Sequence, residues 1–170
     1  MRDVLVALDV STGKEKWRRD YPSEEKTPLP SFGFVSSPLL EKDHLYVQVG
    51  TSLRKIKKSN GETVWQALAD ERAMFGSAFS SPYRAKIQGV DQFLVQTRNL
   101  LCGILPSNDK ADWTTPVKAM RCMNMLPPTP IANKISTASY CGGPFLYDIH
   151  NHTQPLPTNT HSNANNSNSH

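Results

Sequence analysis

The sequence has 170 residues with 19 basic and 15 acidic side chains, a formal net charge of +4, and charges of both signs are scattered along it. It lacks the dense basic stripe that follows a phosphate backbone, so nucleic-acid binding is not expected. No segment approaches the roughly 20 apolar residues of a membrane span, and the N-terminus shows no signal peptide. These features do not assign the protein to a cellular compartment.

The first predicted element is a β-hairpin. Val4–Leu8 is a short run of residues that favour strands, and residues 11–13 supply turn chemistry with a glycine that can adopt positive φ. Residues 14–17 resume an extended segment that ends in a tryptophan. This order of residues predicts two antiparallel strands joined by a tight turn.

The same hairpin recurs at a fixed period. Copies follow at residues 52–65 and, in weaker form, at residues 100–113, and the three closing tryptophans are 48 residues apart: Trp17, Trp65 and Trp113. Gly13 returns as Gly61, but the third copy has Asp109, which tolerates the left-handed region better than most side chains. A period of this length indicates a solenoid or propeller, in which each unit buries its apolar faces against its neighbours.

A second repeated element lies between the tryptophans. Ser-Ser-Pro at residues 36–38 and 80–82 precedes apolar strands at 45–49 and 93–97. A degenerate third copy of this element covers residues 128–137. Each period thus holds about four short strands, which is the content of one propeller blade. The sequence predicts an all-β fold, a partial propeller with about two full four-stranded antiparallel blades plus partial ones.

The C-terminal stretch differs in composition from the repeats. Residues 150–170 contain one leucine and no Phe, Tyr or Trp, too little apolar surface to offset the entropy of ordering. We predict a propeller domain at residues 1–149 and a disordered low-complexity tail at 150–170. Four of the five histidines lie in this tail, and their irregular spacing favours a solvated segment over metal binding.

Neither the cysteines nor the basic residues form a chemical site in the sequence. The cysteines are odd in number and include no C-x-x-C pair, so a structural metal site is not expected: Cys102, Cys122 and Cys141. Cys102 lies in an apolar run and is predicted to be a small core residue rather than a reactive thiol. The longest basic cluster, residues 54–58, is interpreted as a solvated strand edge rather than a binding patch.

The first hairpin resembles a known repeat. Ala7, Asp9, the pair Thr12-Gly13 and Trp17 match the A-x-D-x-x-T-G-x-x-x-W pattern of the pyrroloquinoline-quinone-type β-propellers. The resemblance implies a structural motif in which each tryptophan packs between adjacent blades against a turn glycine. We favour this packing role over cofactor stacking. The motif residues are Asp9, Gly13, Trp17, Gly61, Trp65 and Trp113.

The resemblance also includes enzymes. In quinoprotein dehydrogenases of this fold it implies a cofactor near the propeller axis with a calcium ion, an acidic base and commonly a pair of adjacent cysteines. This chain has no adjacent cysteines, and its acidic clusters at residues 24–25, 41–43 and 70–71 are interpreted as solvated surface charge. We therefore predict no catalytic, cofactor-binding or metal-binding residue, no cofactor and no enzymatic activity.

The competing class is the non-catalytic propeller, similar to the BamB-type outer-membrane assembly lipoproteins, which present loops and strand edges to partner proteins. We predict a protein-interaction scaffold that is part of a larger propeller, and a fragment of a quinoprotein dehydrogenase remains the alternative. The expected partner is a protein or the remaining propeller blades, with self-association as a further outcome. The resembling family is mostly periplasmic or attached to the cell envelope.

Overall fold

Fourteen strands and one short helix make up the described part of the chain. The structure is a computed structural model that describes residues 3–26, 35–70, 79–107, 109–117, 124, 126–139, 143–148 and 156–157. The strands are β1 (Val4–Leu8), β2 (Glu15–Asp20), β3 (Leu39–Glu41), β4 (His44–Val49), β5 (Ser52–Lys57), β6 (Thr63–Ala67), β7 (Tyr83–Ile87), β8 (Val90–Gln96), β9 (Leu100–Ile104), β10 (Ala111–Pro116), β11 (Thr129–Ile131), β12 (Lys134–Ser139), β13 (Gly143–Asp148) and β14 (Leu156–Pro157). Helix α1 is Tyr21–Glu25.

The strands form one two-stranded sheet and three four-stranded sheets. The sheets are β1–β2, β3–β6, β7–β10 and β11–β14, and all neighbouring strands are antiparallel and in chain order. Four consecutive strands of this kind are the content of one propeller blade, so the predicted all-β propeller class is confirmed. By sequence period, β1 and β2 correspond to the third and fourth strands of a blade.

The last sheet is completed by its shortest strand. Strand β14 has 2 residues and pairs with β13 through Tyr147 and Asp148. It lies within the stretch predicted to be a disordered tail, and the other residues of that stretch lie outside the described residues. The boundary between residues 149 and 150 therefore stays a prediction.

Each repeated hairpin contains a bulge at the same place. The register shifts between Ala7 and Leu8, between Lys55 and Ile56, and between Ala111 and Trp113. An extra residue on the fourth strand bends that strand and increases its twist. The recurrence of this irregularity shows that the 48-residue period extends from the residue types to the backbone geometry.

The apolar core lies in the seams between successive sheets. We call the interfaces between β1–β2 and β3–β6, between β3–β6 and β7–β10, and between β7–β10 and β11–β14 the first, second and third seams. On β4, Leu45, Val47 and Val49 pack in the first seam and Tyr46 in the second. This strand is buried on both faces because side chains alternate and a sheet covers each side.

Two predictions about single residues have opposite outcomes. Cys102 is fully buried in the second seam, which confirms its prediction as a core residue, and burial raises the pKa of its thiol to about 12. The interpretation of residues 54–58 as a solvated edge is wrong for Arg54, whose exposed fraction is 3%. Cys122 and Cys141 lie outside the described residues.

One backbone hydrogen bond recurs where the chain leaves β2, β6 and β10. The amide of Tyr21 donates to the carbonyl of Asp3 at 3.2 Å, and that of Asp70 to Thr51 at 2.9 Å. The amide of Val117 donates to the carbonyl of Asn99 at 2.8 Å. These bonds hold the start of each long connection to the turn before the third strand of its own sheet.

Candidate interaction surface

The first seam is organised around Trp17. Its indole lies against the turn at Gly61, where an added Cβ would stand 2.6 Å from Cε3 of the ring. Its Nε1 donates a 2.8 Å hydrogen bond to the carbonyl of Lys58 in the same turn. Both the absence of a side chain at Gly61 and its φ of +75° allow this close approach. The tryptophan therefore joins one sheet to the hairpin turn of the next.

The other two motif tryptophans are placed differently. Trp65 packs in the second seam with its ring centroid 5.8 Å from that of Tyr46, and its buried Nε1 has no hydrogen-bond acceptor in the described structure. Trp113 donates from Nε1 to Oε1 of Gln92 at 2.8 Å and lies over Gly103 of its own sheet. The indole-to-turn contact of the first seam is thus specific to Trp17.

Asp9 organises the turn of the first hairpin. Its carboxylate accepts hydrogen bonds from the amides of Ser11 and Thr12 at 3.1 and 3.0 Å, and it pairs with Lys16 at 3.2 Å. The bond to Lys16 and those to Thr12 and Ser11 lower the pKa of Asp9 to about 2. Gly13 completes the turn with a φ of +69°. Asp9 and Gly13 therefore lie together, whereas Gly61 lies in the next sheet against Trp17.

Two glutamines that the sequence interpretation missed connect the sheets. Gln48 donates from Nε2 to the carbonyls of Ser80 and Gln96 at 2.7 and 3.1 Å. Gln96 lies 48 residues later and donates to the carbonyl of Ala138 at 3.3 Å. A signal was present, because both glutamines follow a valine at the same point of the repeat. Polar side chains thus join sheets across the second and third seams.

A buried charged cluster lies at the start of the first connection. Arg54 forms a bidentate pair with Glu25 of α1, with N to O distances of 2.6 and 2.5 Å. Its guanidinium lies 4.7 Å from the ring centroid of the fully buried Tyr21. Asp3, 2% exposed, accepts a 2.8 Å bond from the amide of Gly50. These contacts fix α1 over the turn between β4 and β5.

Burial dominates the electrostatics of this cluster. It raises the pKa of Asp3 to about 6 against the opposing effects of the Gly50 amide and Arg54. It also raises the pKa of Tyr21 to about 12. In the repeat, Arg54 corresponds to Val6 and Cys102, so a charge occupies a position that is apolar elsewhere. That substitution was the available sequence signal.

Three members of the acidic clusters form ion pairs with arginines, and Glu25 is exposed as the sequence interpretation expects. Glu25 pairs with Arg54, as described, and Glu41 pairs with Arg84 at 2.9 Å. Asp70, whose side chain is 18% exposed, pairs with Arg98 at 2.8 Å. Residues 68–70 and 97–100 line a cleft of about 240 Å³ around this last pair. Glu71 lies outside the described residues.

Large apolar side chains are exposed on the first sheet. Leu8 is 58% exposed and Val10 is 101% exposed. The repeat equivalents of Leu8 are Ile56 and Ile104, and both are fully buried. We call Leu8, Val10 and the turn at Gly13 the open face of the first sheet. This face is apolar and exposed, whereas the equivalent positions Ile56 and Ile104 are covered by a neighbouring sheet.

The described residues show neither a metal centre nor a membrane-spanning helix. No three His, Cys, Asp or Glu side chains within them are placed together as ligands of a metal ion. No helix among them is long and apolar enough to cross a membrane.

Comparison with known proteins identifies the family of the chain and solved structures with a similar fold. The family model for the outer membrane protein assembly factor BamB matches residues 1–167. The crystal structure of BamB from Moraxella catarrhalis is similar, with a TM-score of 0.60 and 19% identity over 87% of this chain and 44% of that one. The chain thus spans less than half the length of that protein. No curated protein matches it.

Proposed function

This chain belongs to the outer membrane protein assembly factor BamB family, and we propose from this premise that it is a non-catalytic scaffold for protein interactions. The observation that carries the proposal is the open face, where Leu8 is 58% exposed although its repeat equivalents are fully buried. An apolar face of this kind is typical of a surface that another protein covers. The partner is a protein or further blades of the same repeat.

The motif side chains support a structural role rather than a chemical one. The indole nitrogens of Trp17 and Trp113 and the amide nitrogens of Gln48 and Gln96 all donate to groups within or between the sheets. Their polar atoms are committed to holding the sheets together. A partner protein would therefore recognise the open face by its shape and its apolar side chains.

The open face can be tested with two matched substitutions. Leu8→Lys is expected to leave the melting temperature nearly unchanged, because the side chain is already exposed, and to weaken association with a partner or with other copies. Ile56→Lys, at the equivalent buried position, is expected to prevent folding. Thermal melts and sedimentation velocity measure both effects. A large loss of stability in Leu8→Lys would contradict the proposal.

The absence of catalysis has its own test. The purified chain is supplied with pyrroloquinoline quinone and calcium and assayed by dye-linked oxidation of alcohols and sugars. We expect no turnover above the protein-free control. Turnover that requires both additives would overturn the scaffold proposal in favour of a quinoprotein dehydrogenase.

A further inference from the structure

The turns of the first two hairpins share a backbone but begin with residues of opposite charge. The amide of Gly13 donates to the carbonyl of Asp9 at 2.8 Å, and that of Gly61 donates to Lys57 at 3.0 Å. The amide of each first residue donates to the carbonyl five residues later, at 2.8 and 2.9 Å. Both glycines have positive φ, +69° and +75°. The second hairpin therefore repeats the turn of the first, with a lysine in place of the aspartate.

The first turn shows what this backbone binds. Oδ1 of Asp9 accepts hydrogen bonds from the amides of Ser11 and Thr12 at 3.1 and 3.0 Å, and from Oγ1 of Thr12 at 3.0 Å. Oδ2 of the same carboxylate pairs with the ammonium group of Lys16 at 3.2 Å. The turn thus holds a carboxylate with two backbone amides on one oxygen and a cation on the other.

The second turn has the amides but not the carboxylate. The two amides that hold the carboxylate in the first turn correspond to those of Ser59 and Asn60, and within the described part of the chain neither donates to a protein group. Lys57 cannot satisfy them, because an ammonium group has no acceptor. Its Nζ pairs with Glu62 at 2.7 Å. The second turn therefore offers two amide donors to an anion from outside the hairpin.

A cleft of about 350 Å³ adjoins the second turn. It is lined by Asp43, His44 and residues 57–59. The ammonium group of Lys58 has no ion-pair partner among the described residues. Among the five lining residues, two lysines outnumber the one carboxylate, that of Asp43. The cleft can therefore supply a cation to a carboxylate that is held by the turn amides.

We propose that the second turn and its cleft bind an acidic side chain of a partner protein, whose carboxylate accepts hydrogen bonds from the amides of Ser59 and Asn60 and pairs with Lys58. This inference rests on the proposed scaffold function and names the chemistry of one contact with the partner. The bound group takes the place that the carboxylate of Asp9 has in the first turn. A carboxylate is favoured over a phosphate because this turn holds a carboxylate in the first hairpin.

The site can be tested with a capped tetraglutamate peptide. It is titrated into the full chain while the amide resonances of Ser59 and Asn60 are followed by NMR. We expect saturable shifts, and none with the tetraglutamine peptide. Lys58→Gln should weaken binding by up to about fivefold, the range for an exposed ion pair, and added salt should weaken it as well. No saturable shift, or equal shifts with the glutamine peptide, would overturn the site.

A sharper test is Lys57→Asp, which gives the second turn the aspartate of the first. The new carboxylate should bind the amides of Ser59 and Asn60 and move both resonances in the direction in which the peptide moves them. Because the turn is then occupied, peptide binding should weaken by about tenfold or more. Resonances that stay in place in Lys57→Asp would show that the second turn does not hold a carboxylate, and would overturn the proposal.

The matched control is Lys26→Asp. It makes the same change of charge at an exposed lysine, and aspartate tolerates the φ of 54° at this position. This variant should bind the peptide like the unchanged chain. Equal losses of binding in Lys26→Asp and Lys57→Asp would show that overall charge attracts the peptide, and would overturn a site at the turn.

Inorganic phosphate distinguishes the two kinds of anion. We expect phosphate to shift the amide resonances of Ser59 and Asn60 with lower affinity than the acidic peptide. Tighter binding of phosphate would overturn the assignment to an acidic side chain. Each of these failures leaves the scaffold function standing, because that function is tested separately by Leu8→Lys and by turnover with quinone and calcium.

Discussion

Gln48 donates a 3.1 Å hydrogen bond to the carbonyl of Gln96, the residue that occupies its own position one 48-residue period later. The same side chain nitrogen reaches the carbonyl of Ser80 at 2.7 Å. Equivalent positions of two successive repeats are thus joined by a buried hydrogen bond. Such contacts give a seam a fixed register, which apolar packing alone specifies less strictly.

Gln48→Leu is expected to destabilise the chain by about 1–3 kcal/mol, because the buried carbonyls of Ser80 and Gln96 lose their donor. Gln66→Leu, on the exposed face of β6, should have little effect. Urea unfolding followed by tryptophan fluorescence measures both variants. Equal losses in the two would show that the seam bond does not contribute to stability.

Replacing Trp113 or Trp65 by phenylalanine is expected to lower the stability by different amounts. Trp113→Phe removes the donor to buried Gln92 and should cost about 1–3 kcal/mol beyond the lost apolar area. Trp65→Phe removes an N–H that has no acceptor in the described structure, so its cost should be smaller. Urea midpoints at constant slope decide between them. A larger loss for Trp65→Phe would contradict this order.

Asp3 predicts a dependence of stability on pH. Its pKa is raised from 3.8 to about 6 by burial, with Glu25 and Asp20 acting in the same direction and the Gly50 amide and Arg54 opposing it. The folded chain therefore binds a proton more tightly than the unfolded chain. The resulting stabilisation is complete below the unfolded pKa of 3.8 and is lost as pH rises through about 6.

The corresponding measurement compares the unchanged chain with Asp3→Asn. When the pH is lowered from 7 to 4, the unfolding free energy of the unchanged chain should rise relative to that of Asp3→Asn by about 2 kcal/mol. The depressed pKa of Asp9 acts in the opposite direction but is common to both proteins. A pH-independent difference would show that Asp3 keeps the same pKa on folding.

The contribution of the ion pair between Arg54 and Glu25 to stability can be measured with a double-mutant cycle. Glu25→Gln leaves the 4% exposed Arg54 side chain without its carboxylate and should cost about 3 kcal/mol, at the lower end for buried pairs because Glu25 is 32% exposed. Adding Arg54→Met should recover part of that loss. Glu62→Gln, which breaks an exposed pair with Lys57, serves as the control and should show no measurable change.

The repeating elements of the fold could be predicted because they depend on local patterns. The alternation at 45–49, the turn glycine Gly61 and the closing Trp65 each specify backbone geometry within a few residues. Helix α1 gave no such signal, since its 5 residues are too few to show a helical period. It begins at the capping residue Asp20, with Pro22 in its first turn.

The side chains of the seams were less predictable. Arg54 was interpreted as exposed because its sequence neighbours are basic, but its burial depends on Glu25, which lies 29 residues earlier. Gln48 likewise acts on residues 32 and 48 positions later. Whether a polar side chain is buried with a partner depends on which sheets become neighbours, and composition carries no record of that pairing.

Because Cys102 is fully buried, the reactivity of its thiol reports local opening of the structure. A thiol that is fully buried and has a pKa of about 12 cannot react with a modifying reagent until the sheets on either side of it separate. In a chain with Cys122→Ser and Cys141→Ser, the labelling rate of Cys102 would therefore measure how often the second seam opens under native conditions. Comparing that rate with the rate of global unfolding would show whether the sheets separate one at a time or all together.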